Sequence, residues 1–157
     1  MNSGSELGNR VLVIAYGNPL RCDDGIAWRV AEEIRRTGPE AAIRCVHQLT
    51  PELAEDASHA SFVIFVDARR NGEPGEVRCH PVRADHISVK FSHTLEPAQV
   101  LAMCNQVYAT EPRGFLVSIA GQSFDHGETL SSRVADALPQ AVAMIRELSE
   151  RQLLLQA

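Results

Sequence analysis

Three short, nearly uninterrupted apolar runs govern what this chain can become: Val11–Tyr16 (VLVIAY), 61–66 (SFVIFV) and 114–119 (GFLVSI). A strand apolar at every position, rather than at alternate ones, has to be covered on both faces. Each run is followed downstream by apolar residues at helical spacing. Ile26, Val30 and Ile34 form one stripe; Leu95, Ala98, Leu101 and Ala102 a second; Val134, Leu138, Val142, Ile145 and Leu148 a third. Buried strands alternating with one-sided helices predict an α/β sandwich built on a mostly parallel sheet.

The remaining elements follow from local chemistry. Residues 42–46 read as a second strand. Thr50-Pro51-Glu52 fits an N-cap with proline in the first helical position, opening a short helix to about Ser58. The third strand is expected to end at Asp67. A polar loop, 69–75, leads to a fourth strand at 76–81, near enough to the third to suggest a hairpin. Residues 82–92 look irregular, 120–129 form a glycine-rich loop, and one last helix starts at Leu130 or Ser131. The expected organisation is a flexible N-terminus, 1–9, and a single α/β domain, 10–157. A chain of 157 residues can bury a sufficient core without disulfide or metal staples.

Charge and cysteine usage narrow the function. A net charge of −5 disfavours a nucleic-acid partner. Cys22, Cys45, Cys79 and Cys104 form no C-x-x-C pair and read as reduced thiols of a cytoplasmic protein. Residues 1–9 lack the apolar core of a secretory leader, and no apolar run approaches the roughly 20 residues of a membrane span, so no membrane association is expected.

The turn after the first strand, GNPLRCDDG at 17–25, carries the chemistry. A glycine turn between strand and helix usually cradles phosphate, yet Asp23 and Asp24 would repel one. G-x-G-x-x-G, Walker A and G-x-S-x-G are all absent. Both acids lie where a helix dipole favours negative charge. Gly17 and Asn18 suit the unusual backbone of the turn. Ligands in such sheets bind outside the carboxyl ends of the strands. Asp24 follows the first strand, Asp67 ends the third, and His93 precedes a helix. Two carboxylates and an imidazole make an O,O,N set for a divalent transition metal. Spacing alone leaves other readings open: a helix-terminal charge for Asp24, a turn residue in Asp67, a structural His93, a Cys22–His93 nucleophile pair, or an Asp24–Asp67 dyad sharing a proton.

Four stretches together resemble one family. YGNPLRCDDGIAWRVAEEI, FVIFVDA, SHTLEPAQVLAM and VSIAGQSFDHGETLSS are similar, in order, to the motifs of the [NiFe]-hydrogenase maturation endopeptidases. That resemblance implies a three-layer sandwich: a twisted five-stranded sheet, mostly parallel with one antiparallel strand, and helices on both faces. It implies an endopeptidase that removes the C-terminal extension from the large-subunit precursor after nickel insertion. Asp24, Asp67 and His93 would contact the metal and act in catalysis. The nickel would come with the substrate, and no permanently bound cofactor is expected. Gly17, Asn18, Gln122 and Ser123 fall in motif positions near the substrate, with His126 on the same loop as the last two. VHQLTPELAEDAS, 46–58, resembles the subgroup serving cytoplasmic, bidirectional NAD-linked hydrogenases. Departures are Ala15 and Ala27, where many members carry glycine, bulky Trp28, and Asp24 in place of the Glu of some members. A non-catalytic nickel-sensing chaperone for the large subunit is the alternative. His47, His59, His80 and His86 read as surface or structural.

Overall fold

A computed structural model describes residues 10–38, 40–84 and 95–155. Its centre is a five-stranded sheet in the order β2-β1-β3-β5-β4, formed by β1 (Val11–Tyr16), β2 (Ala42–Val46), β3 (Phe62–Arg69), β4 (Val77–Val82) and β5 (Arg113–Ala120). β1 pairs with β2 and β3 in parallel, and β3 pairs with β5 in parallel. The apolar runs thus take the three interior seats. Alternate residues then serve two cores. Val11, Val13, Ala15, Phe62, Ile64 and Val66 face one side; Leu12, Ile14, Val63 and Phe65 face the other.

Five helices cover the faces. α1 (Ile26–Thr37), α4 (Ser132–Asp136) and α5 (Leu138–Leu155) lie on the first, through Ile26, Val30, Ile34, Val134, Val142 and Ile145. α2 (Leu53–Ser58) and α3 (Pro97–Tyr108) lie on the second, through Leu53, Ala54, Val100, Leu101 and Cys104. The result is the expected three-layer sandwich with one antiparallel pair. No helix among the described residues is long and apolar enough to cross a membrane. The segment 1–9 lies outside the described residues.

Four local expectations need correction. β4 pairs antiparallel with β5 and makes no hairpin with β3. β5 is buried enough on both faces to take the interior seat. β4 alternates half-buried and exposed residues and contains Pro81, which has no N–H for a ladder and is tolerated at an edge. β3 runs two residues beyond Asp67, because Ala68 and Arg69 keep pairing with Ile119 and Ala120. The last helix is two: Pro139 lacks the N–H that Ala135 would need, and the chain turns at Ala137 before α5 begins. The 50–58 stretch opens as a tight turn, with Leu53 N donating to Thr50 O at 3.1 Å, and α2 begins after Glu52 with no side-chain cap bond.

Candidate active site at the carboxyl edge of the sheet

β1 and β3 are neighbours, and the chain leaves them in opposite directions along the sheet: from β1 to β2 on one side, from β3 towards β4 and β5 on the other. Such a switch point leaves a crevice at the carboxyl edge. Asp24 reaches it from the turn after β1, and Asp67 from β3 itself.

The turn is built to hold Asp24 still. Gly17 has φ +142°, and a Cβ there would run into the Asp24 carbonyl oxygen. Gly17 N donates to Val46 O at 3.1 Å. Asn18 closes the turn three times: its side-chain Oδ1 accepts from Leu20 N at 2.9 Å, its carbonyl from Arg21 N at 3.1 Å, and its own N–H donates to Asp24 Oδ2 at 2.7 Å. A 3₁₀ turn, Cys22–Gly25, then leads into α1. Gly17→Ala combines a disfavoured φ with a backbone collision, so it should cost about 3 kcal/mol in urea unfolding. The Asp24 backbone has to move to relieve that collision.

The two adjacent acids have opposite fates. Asp23 is fully buried. Its Oδ2 accepts from Gln122 N and Ser123 N at 2.8 Å each and from Ser131 Oγ at 2.7 Å, while Oδ1 accepts from Ser131 N at 2.7 Å. Burial alone would raise its pKa; the hydrogen bonds from Ser123, Ser131 and Gln122 outweigh it and hold the group below the ordinary aspartate range. Asp23, at the start of the helical turn, is therefore also a latch between this turn and the 121–131 loop. Cys22 N donating to Gly127 O at 2.7 Å and Gly127 N to Leu20 O at 2.8 Å complete the seam.

Asp67 is tuned the other way. Its pKa is pushed up to about 7, first by burial, with the Asp24 charge adding to the rise; hydrogen bonds from the Tyr16 hydroxyl and Ala68 N–H oppose it. Tyr16, which ends β1, is itself shifted upward by burial, by the charge and hydrogen bond of Asp67, and by the charge of Glu96. The crevice thus holds a carboxyl pair in which one member ionises reluctantly. Burial and a like charge on the neighbouring carboxylate are what hold that member back.

His93 lies outside the described residues, as does His86. The chain re-enters at Leu95, whose N–H donates to Leu49 O at 3.4 Å. Among the described residues no three His, Cys, Asp or Glu side chains gather to hold a metal ion. Of the three expected ligands, Asp24 and Asp67 lie among the described residues. Gln122 is exposed and Ser123 half-buried, and their backbone amides serve Asp23. His126, His47, His59 and His80 are exposed. Trp28 is half-buried at the rim, donating from Nε1 to Val46 O at 3.1 Å and meeting His47 edge to face. All four cysteines are free, with Cys22 half-buried at the seam. Sequence reasoning passed over Tyr16 and the role of Asp23. The signal for Tyr16 was a hydroxyl closing an otherwise apolar strand. For Asp23 it was the doublet itself, since adjacent residues on a tight turn point different ways.

No protein-family model matches the chain, and no curated protein matches its sequence significantly. Solved structures do match its fold. The [NiFe] hydrogenase maturation protease HybD from Thermococcus kodakarensis superposes with a TM-score of 0.70 at 20% identity, over 89% of this chain and 99% of that one. The maturation protease HycI from Thermococcus kodakarensis KOD1 gives 0.72 at 21%, over 90% and 93%. The hydrogenase maturating endopeptidase HybD from E. coli gives 0.67 at 21%, over 87% and 89%. The five-stranded α/β fold is the fold of these maturation proteases.

Proposed function

We propose that this chain is a [NiFe]-hydrogenase maturation endopeptidase, which cuts the C-terminal extension from the nickel-loaded large-subunit precursor. The observation that carries the reading is the Asp24–Asp67 pair at the switch point of a fold shared with maturation proteases. The ordered motif resemblance across the chain supports it independently.

In this reading the crevice receives the substrate's nickel. Asp24, Asp67 and His93 take exposed positions on the metal, as hard-oxygen and imidazole ligands suit such an ion. Docking fixes the scissile peptide beside the two carboxylates, and positioning of this kind offsets several kcal/mol of barrier. Hydrolysis adds hydroxide to the peptide carbonyl and a proton to the departing amine. Two routes supply them: a carbonyl or water polarised by the bound metal, or an aspartate taking the proton from water. The resemblance of 46–58 points to the precursor of a cytoplasmic, bidirectional NAD-linked hydrogenase as the substrate.

The test is mass spectrometry of precursor incubated with the protein. A loss of C-terminal mass from nickel-loaded precursor, and none from metal-free precursor, is expected. Asp24→Ala and His93→Ala should keep the wild-type circular dichroism and abolish the loss. Binding without any mass loss would make the chain a nickel-sensing chaperone instead. Precursors from NAD-linked and other [NiFe] hydrogenases, compared side by side, test the substrate assignment.

A further inference from the structure

Phe124 stands beside the candidate site and is held by two arginines. Its ring lies over Gly121, where a Cβ would come within 2.6 Å of the Phe124 Cζ and 3.1 Å of the Asp23 Cβ. The Arg70 guanidinium sits over that ring, 4.4 Å from its centroid. Arg21 donates from Nε to the Phe124 carbonyl oxygen at 3.1 Å. Both arginines are exposed, and neither pairs with an Asp or Glu among the described residues.

Position gives these two cations their meaning. Arg21 lies three residues before Asp24, and Arg70 three residues after Asp67. Three residues span at most about 11 Å of chain. Each metal-facing acid therefore has a guanidinium close by, and one aromatic residue fixes both. A guanidinium fixed in advance loses less freedom when it takes a carboxylate, and its fork favours two-point contact. The chain carries a net charge of −5 and presents two acids in the crevice, so an anionic peptide passing this edge would otherwise be repelled.

We propose that Arg21 and Arg70, both anchored on Phe124, bind a carboxylate of the substrate's C-terminal extension and steer the extension away from Asp24 and Asp67. This rests on the protease reading above. The carboxylate is either an Asp or Glu side chain of the extension or its terminal group, and these sources separate by experiment.

The measurement is cleavage kinetics on nickel-loaded precursor with Arg21→Gln, Arg70→Gln and the double variant; glutamine keeps a stem and a donor but no charge. Each single variant should raise KM about three-fold and the double about ten-fold, as exposed charge pairs do, with kcat and melting temperature unchanged. Added salt should raise the wild-type KM and leave that of the double variant nearly flat. Amide replacement of the extension's acids, in one precursor, and C-terminal amidation, in another, identify the source. The responsible change raises the wild-type KM by the same factor and adds nothing in the double variant. An unchanged KM in the double variant, or a rise that neither precursor change reproduces, overturns the arginine clamp alone. A nickel-loaded precursor left uncut by wild-type protein overturns the protease reading and the clamp with it.

Discussion

Asp67→Asn should yield a protein that is more stable than the wild type at pH 8 and, on the proposed protease function, no longer processes precursor. The sign follows from where the carboxyl ionises. Its pKa in the folded protein is about 7, against an ordinary 3.8. Between those values the folded state holds a proton that the unfolded chain has released. Asp67 therefore contributes stability fully below about pH 4. That contribution fades as pH rises through 7 and is absent above it. The two pKa values bound the loss at about 4 kcal/mol. Asparagine stays neutral throughout and still accepts from the Tyr16 hydroxyl. The stability difference between variant and wild type should thus grow by a few kcal/mol from pH 4 to pH 8. For a chain of 157 residues that is a gain of about 5–10 °C in melting temperature at pH 8. Thermal unfolding at both pH values checks it; a difference that stays constant or narrows with rising pH removes the case for a strained carboxylate. Loss of processing alongside increased stability would show that function, not folding, retains this acid.

How much of this was legible in the sequence depends on which kind of signal was read. Continuous apolar runs gave the interior strands because only double-sided burial tolerates Val13, Ile14, Ile64 and Phe65 next to one another. Helical stripes gave α1 and the packing face of α4 and α5. Strand order was not legible at the edge. The pairing choice of β4 depends on competition with β5 for the seat beside β3, and a short polar loop between β3 and β4 argued locally for the losing answer. Asp24 and Asp67 were singled out by position, one in the turn after β1 and the other near, though not at, the end of β3. Their mutual influence was not, since it depends on the burial of Asp67 and on Tyr16 reaching across from the neighbouring strand. Asp23 was read only as an acid at a helix start, where the dipole favours negative charge. Its partners, Gln122, Ser123 and Ser131, lie about a hundred residues downstream, beyond any local pattern.

That distance makes Asp23 the strongest test of how the site is assembled. If it only complemented the dipole of α1, Asp23→Ala would cost under about 1 kcal/mol. As the buried acceptor of four hydrogen bonds from the 121–131 loop, it should cost about 3–5 kcal/mol, because backbone N–H groups of Gln122, Ser123 and Ser131 lose their acceptor. The corresponding fall in melting temperature is about 10–15 °C. Asp23→Asn separates charge from shape. Placing its one oxygen at the Oδ2 position leaves the amide NH₂ facing Ser131 N–H, donor against donor, so about 2 kcal/mol should still be lost. The acid limb carries the opposite sign from Asp67. The folded pKa of Asp23 lies below the ordinary 3.8, so its contribution is present above about pH 4 and disappears as pH falls through the lower value. The gap between wild type and Asp23→Ala should therefore narrow under acid without closing, while it stays wide at pH 7. Hydrogen exchange localises the effect: the amides of Gln122, Ser123 and Ser131 should lose protection in the variant while those of β1 and β3 keep it. Retained protection at those three amides would mean that the latch is dispensable. The backbone bonds of the seam, Cys22 N to Gly127 O and Gly127 N to Leu20 O, would then suffice to keep the loop bearing Phe124 beside Asp24.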